Sequence, residues 1–118
     1  MYTAAVLEHF KNPRNAGELP GATATVEVTN PVCGDIMQLA VRVFEGRIAE
    51  ARFKTRGCVT AIACGSLLTE LILGKTLDEA RRITSAQISE ALGGLPPATL
   101  HGSLLACDAL ETLLVALS

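Results

Sequence analysis

Four side chains in this sequence combine a type and a setting that can hold a metal ion or accept sulfur: Cys33, Asp35, Cys58 and His101. Cys33 lies in Asn30-Pro31-Val32-Cys33-Gly34-Asp35. Proline before and glycine after predict a turn, so the thiol stands on a loop. Gly34 lets the backbone approach a bound ion or sulfide closely, and Asp35 offers a carboxylate two residues from the thiol. Cys58, in Arg56-Gly57-Cys58-Val59-Thr60, falls where a strand pattern gives way to a helix pattern. A thiolate at a helix N-terminus is stabilised by free backbone N–H groups and by the helix dipole. The thiolate is the form that binds metal or accepts sulfur, and Lys54 and Arg56 add positive charge nearby. His101, in Leu100-His101-Gly102-Ser103, sits beside a helix start, where a neutral ring nitrogen can ligate metal. The plain alternatives are a strand-connecting turn at Cys33, a buried inert thiol at Cys58 and a surface or capping histidine at 101. The positions 33, 58 and 101 contain no C-x-x-C pair, so this is not a zinc-ribbon pattern. His9 reads as structural or solvated.

Two more cysteines, Cys64 and Cys107, follow Cys58 and His101 by six residues each. Six helical residues mean about 9 Å of rise and about 120° of rotation. Ligands of one small cluster converge more closely than that. Both thiols are therefore expected to fill gaps in the helical layer as small hydrophobes; either could substitute for a ligand only through an irregular helix start.

The elements that must position these groups follow from periodicity. Val6, Leu7 and Phe10 predict a short helix over 3–10, broken by Asn12-Pro13. Alternation predicts strands over 24–29, 36–44 and 47–54. Their inner faces are Ala24, Val26 and Val28; then Met37, Leu39, Val41 and Val43; then Ala49, Ala51 and Phe53. Glu45-Gly46 marks a hairpin. Leu67, Leu68, Leu71 and Ile72 predict a helix over 60–73 with Gly74 as its stop. Thr76-Leu77-Asp78-Glu79 has the form of a capping box. Further helices are expected over 85–92 and about 102–117, separated by Gly93-Gly94 and by an extended, exposed Leu95-Pro96-Pro97. Strands first and helices after predict one α+β domain over 1–118, a three-stranded antiparallel sheet with helices on one face.

Composition narrows the function. Hydrophobic residues are 49% of 118 and aromatics only 3%, so the core must be aliphatic. A net charge of −2 argues against nucleic acid and against a polybasic membrane anchor. No uninterrupted apolar run reaches the roughly 18–20 residues of a membrane span, and no secretory signal is visible. A cytoplasmic, reducing location is the expectation, where cysteines bind metal, catalyse or pack more often than they form disulfides.

These contexts resemble the IscU/NifU iron–sulfur scaffold family nearly end to end. Val6-Leu7-Glu8-His9-Phe10-Lys11-Asn12-Pro13-Arg14-Asn15-Ala16-Gly17 is similar to that family's N-terminal helix and turn. Cys33-Gly34-Asp35 is similar to its first ligand loop. Ala51 to Cys58 resembles the strand leading to its second ligand, and Ala61-Ile62-Ala63 with Ser66 the helix beyond. The resemblance implies a SufE/NifU-like fold and a binding role in place of an enzymatic one. It implies a transient [2Fe–2S] cluster or a Zn²⁺ ion on Cys33, Asp35, Cys58 and His101. Sulfur would come from a cysteine desulfurase and the cluster would pass to apo iron–sulfur proteins, from a monomer or weak homo-oligomer. Leu95-Pro96-Pro97 is similar to a segment read by an Hsp70-type chaperone, although Thr99 stands where lysine is usual. Gly102 occupies the family's third cysteine position. The alternatives are a zinc-dependent sulfurtransferase accepting persulfide sulfur on Cys58, and an interaction module that has lost its cluster.

Overall fold

In the computed structural model, which describes residues 2–118, Thr3 opens the chain's first helix, α1 (Ala4–Lys11). Its Oγ1 accepts from the Val6 N–H at 3.1 Å and its own hydroxyl donates to the Leu92 carbonyl. Only Val6 of α1 is buried; Leu7 and Phe10 remain over a third exposed. The turn after α1 runs along the sheet edge. Gly17 donates to the Phe53 carbonyl and the Phe53 N–H donates to Asn15, whose φ is +58°.

Three antiparallel strands follow in the order β1 (Ala24–Thr29), β2 (Ile36–Phe44) and β3 (Arg47–Arg56). Glu45 and Gly46 both take positive φ, the requirement of a type I′ hairpin turn. The alternation predicted for β1 and β2 holds. On β3 it breaks. The register shifts between Arg42 and Val43, so Val41 faces Ala51 but Val43 faces Ile48. Ala49 is the extra residue of a bulge and is exposed, while Ile48 is fully buried. The expected core position Ala49 is therefore corrected to Ile48.

The helices α2 (Val59–Ile72), α3 (Leu77–Ala80), α4 (Ser85–Ala91) and α5 (Leu100–Leu117) complete the chain. Gly74, at φ +80°, follows α2 as expected, and Thr76 with Glu79 forms the predicted capping box. A second such box, Thr84 with Gln87, starts α4. Helices α2 and α5 lie together on one sheet face, α5 over β1 and β2 and α2 against β3. Gly65 lets α2 come this close: a Cβ there would stand 2.5 Å from Phe53 Cδ2. The segment Pro97–Leu117 is long and apolar enough to cross a membrane, yet Leu105, Ala109, Leu110 and Leu113 are spent on the core. One expectation between α4 and α5 is also corrected. Pro96 and Pro97 are exposed, but Leu95 is buried at 9% exposure, and Pro97–Thr99 forms a turn of 3-10 helix that starts α5 two residues early.

Candidate metal centre

Three chain segments distant in sequence meet at one end of the sheet. The first is the β1–β2 turn. Asn30 Oδ1 accepts from the Val32 N–H at 2.9 Å, and the Gly34 N–H, at φ +78°, returns to the Asn30 carbonyl. This closed turn presents Cys33 to solvent and directs Asp35 inward, its side chain 13% exposed. The second is the β3–α2 junction. Cys58 is the N-cap of α2, in extended conformation, and its sulfur accepts from the Ala61 N–H at 3.4 Å. A thiolate there takes up a free N–H at the positive end of the helix dipole. The third is the first turn of α5, which carries His101.

The geometry brings the four predicted residues together. Donor atoms of Cys33, Asp35 and His101 all lie within 4.8 Å of one another. Cys58 joins through His101, whose Nε2 is 3.5 Å from the Cys58 sulfur and 3.8 Å from Asp35 Oδ2. That Oδ2 is buried and has no hydrogen-bond partner. An unpaired carboxylate oxygen out of water costs free energy, and a bound cation supplies the missing partner. Two sulfurs, one nitrogen and one oxygen match the ligand types of tetrahedral zinc and of iron–sulfur ligation.

Sequence reasoning missed the glycine that seats this carboxylate. A Cβ at Gly57 would stand 2.6 Å from Asp35 Cγ and 2.8 and 2.9 Å from its oxygens. The only signal is its place directly before Cys58. Gly102, in turn, is buried beneath the site. A Cβ there would meet Thr60 Cγ2 at 3.1 Å, the Ala61 N at 3.3 Å and the Cys64 sulfur at 3.3 Å.

The two remaining cysteines differ. Cys64 is fully buried; burial, and secondarily the charge of nearby Cys58, push its thiol up to about 12. Cys107 is half-buried on α5, where burial first, then Glu111 and Asp108, raise its thiol, opposed by a backbone hydrogen bond from Ser85 at the start of α4. Of the segment Leu95-Pro96-Pro97, both prolines are accessible and Leu95 is not. His9 is structural: its Nδ1 is 2.7 Å from Ser66 Oγ, which also accepts from the Arg14 N–H at 2.8 Å. The other ring nitrogen, Nε2, lies 3.5 Å from Glu70 Oε1, so both nitrogens of the ring are engaged.

The profile of the NifU-like N terminal domain matches residues 1–117, and the chain belongs to that family. The iron–sulfur cluster assembly scaffold protein IscU 1 of Archaeoglobus fulgidus is 47% identical over 115 residues, 98% of this chain and 75% of its own length. The scaffold protein IscU of Escherichia coli K12 is 46% identical over 114 residues, 93% of this chain and 88% of its own. Among solved structures, a candidate iron–sulfur cluster assembly scaffold for the SUF system of Fervidobacterium islandicum superposes with a TM-score of 0.77 at 22% identity, covering 96% of both chains. A NifU-like protein of Brucella abortus superposes at 0.65 and 19% identity, over 93% of this chain and 77% of that one. Both share the fold of a three-stranded sheet with helices.

Proposed function

We propose that this chain is an iron–sulfur cluster assembly scaffold that holds its cargo on Cys33, Asp35, Cys58 and His101. The observation that carries the reading is the convergence of those donors, three within 4.8 Å of one another and the fourth 3.5 Å from His101. The family and the relatives named scaffold proteins support it. The cargo is a transient [2Fe–2S] cluster, built with sulfur from a cysteine desulfurase and passed to apo iron–sulfur proteins. The chain binds and releases this cargo and performs no catalytic turnover. Exposed Cys33 on a surface turn suits such exchange, since a partner's ligand can reach the metal from that side.

A second reading has its own support. The donor set S, S, N, O suits a single tetrahedral zinc ion, and Cys58 at a helix N-terminus suits acceptance of persulfide sulfur. One experiment separates the two. The protein, purified without oxygen, is offered iron with sulfide, or zinc, and metal, sulfide and the visible spectrum are measured. A labile visible chromophore lost in Cys33→Ser and in Cys58→Ser supports the cluster scaffold. Zinc alone, lost in the same variants, moves the assignment to sulfur transfer. Uptake of neither refutes the site.

A further inference from the structure

Helix α5 turns one side away from the core. Leu100, Leu104 and Val115 are 38%, 53% and 73% exposed, and the exposed Asp108 and Glu111 stand between the last two. At about 100° per residue these five side chains fall within about 80° of arc, so they form a single ridge. Leu104 and Val115 are about 16 Å apart along it. Beside its N-terminal half, α4 and α5 leave a hollow of about 450 Å³ lined by Ala86, Ser89, Glu90, Leu100 and Leu104. A helix ridge with an apolar socket beside it has the form of a helix-binding face.

The charge on this face decides what fits it. From Ile83 to Ser118 the chain contains no lysine or arginine. Glu90, Asp108 and Glu111 are the acidic residues of that stretch, and among the described residues none of them forms an ion pair. The Cys107 thiol registers this field, since Glu111 and then Asp108 add to the effect of burial in raising it. Arg81, after α3, shares a second hollow with Glu111 and Val115, but its guanidinium is held by Asp78. A second copy of this chain is a poor occupant. Antiparallel pairing of two such ridges sets Leu104 against Val115, and it also sets Asp108 against Glu111, bringing two carboxylates from each copy together without a cation. An anionic lipid surface is repelled by the same charges.

We propose that the α5 ridge is a docking surface for a basic amphipathic helix of a partner protein. The partner presents lysine or arginine to Asp108 and Glu111, with apolar side chains on either side, one of them seated in the hollow beside Leu104. About three turns of helix span the ridge. Exposed charges of this kind speed and orient the encounter more than they add affinity, and the apolar anchors hold the complex. None of the four metal-donor side chains belongs to this ridge, and the surface does not depend on what the metal centre holds.

A displayed library of helical peptides, randomised along one face, is selected against the reduced full chain. Enriched sequences should carry lysine or arginine at the centre of that face and large apolar residues on either side. A synthetic enriched peptide should shift the amide resonances of α4 and α5, and should bind more weakly as salt rises. Its affinity should fall about tenfold or more in Asp108→Lys/Glu111→Lys and in Leu104→Glu, with circular dichroism as the check on folding. Failure to enrich, enrichment of neutral or acidic faces, or binding indifferent to these substitutions would overturn the proposal. So would a dimer of the chain that Leu104→Glu dissociates, because it gives the ridge to a second copy.

Discussion

Gly57→Ala isolates what the seat of Asp35 does. The added Cβ would stand 2.6 Å from Asp35 Cγ and under 3 Å from both carboxylate oxygens. Carbon contacts settle at about 3.5–4.0 Å, so the carboxylate must retreat by roughly 1 Å. Gly57 is not among the residues with positive φ, so alanine meets no left-handed strain. Its reduced freedom in the unfolded chain favours the variant by about 0.4–1 kcal/mol. Overpacking opposes this by about 1–3 kcal/mol. That cost is softened here, because Asp35 Oδ2 has no partner in its present seat and gains water on leaving it. The net change in metal-free stability should fall within about 2 kcal/mol. The metal should feel the change far more, since loss of support around a ligand commonly costs about 10–100-fold in affinity. Zinc affinity, measured by competition with a chromophoric chelator, is expected to fall by about that factor toward the value of Asp35→Ala. Thermal melts of metal-free protein provide the folding control. Wild-type zinc affinity in folded Gly57→Ala would refute the idea that this glycine holds the carboxylate in ligand position.

Gly102→Cys alone should lower the denaturant midpoint, because overpacking against Thr60 and Cys64 costs about 1–3 kcal/mol. Adding Cys64→Ala should restore part of it with a coupling of about 0.5–3 kcal/mol, and strict additivity would show that the two positions do not share space. Ser66→Ala should cost about 1–3 kcal/mol by unpairing the Arg14 N–H and His9 Nδ1. His9 itself is lowered from 6.5, first by burial and then by Arg14, against Glu70 and Glu8. The unfolded chain therefore takes up the proton at higher pH than the folded one. This contribution to stability is whole above about 6.5 and is lost as pH falls from there to the lowered folded value. Denaturant midpoints across that window should slope in wild type and flatten in His9→Asn. With an alkylating reagent at mildly alkaline pH, mass spectrometry should find Cys33 modified first and Cys64 last, since Cys33 is exposed while Cys64 is buried and pushed up to about 12. Early labelling of Cys64 in folded protein would contradict its placement.

Much of the fold was legible because each signal was local. Alternation defined β1 and β2, Glu45-Gly46 the hairpin, Gly74 and Thr76 the punctuation between helices. The failures lie where a non-local contact intervenes. Ala49 keeps perfect alternation with Ala51 and Phe53, yet the partner strand's register forces a bulge there and sends Ile48 inward. Leu95 precedes two prolines and looks extended, but its N–H finds Ser89 Oγ at 2.9 Å and its side chain turns into the core. No pattern within either segment announces these partners.

The site divides in the same way. Cys33, Asp35, Cys58 and His101 each carry a local cue, a turn or a helix start, so four donors could be named before their meeting was seen. Gly102 and Cys64 carry none, because what relates them is a contact across two helices. From sequence, glycine at 102 reads as a lost ligand and cysteine at 64 as filler. In three dimensions the two lie side by side, the Cys64 sulfur 3.3 Å and the Thr60 methyl 3.1 Å from where a side chain at 102 would begin. A site that had merely decayed would have no reason to keep Asp35 desolvated against Gly57, since a buried carboxylate without a partner is released to water by any side chain at 57. The close fit of Asp35 against Gly57 is what a centre that binds a cation at that carboxylate requires.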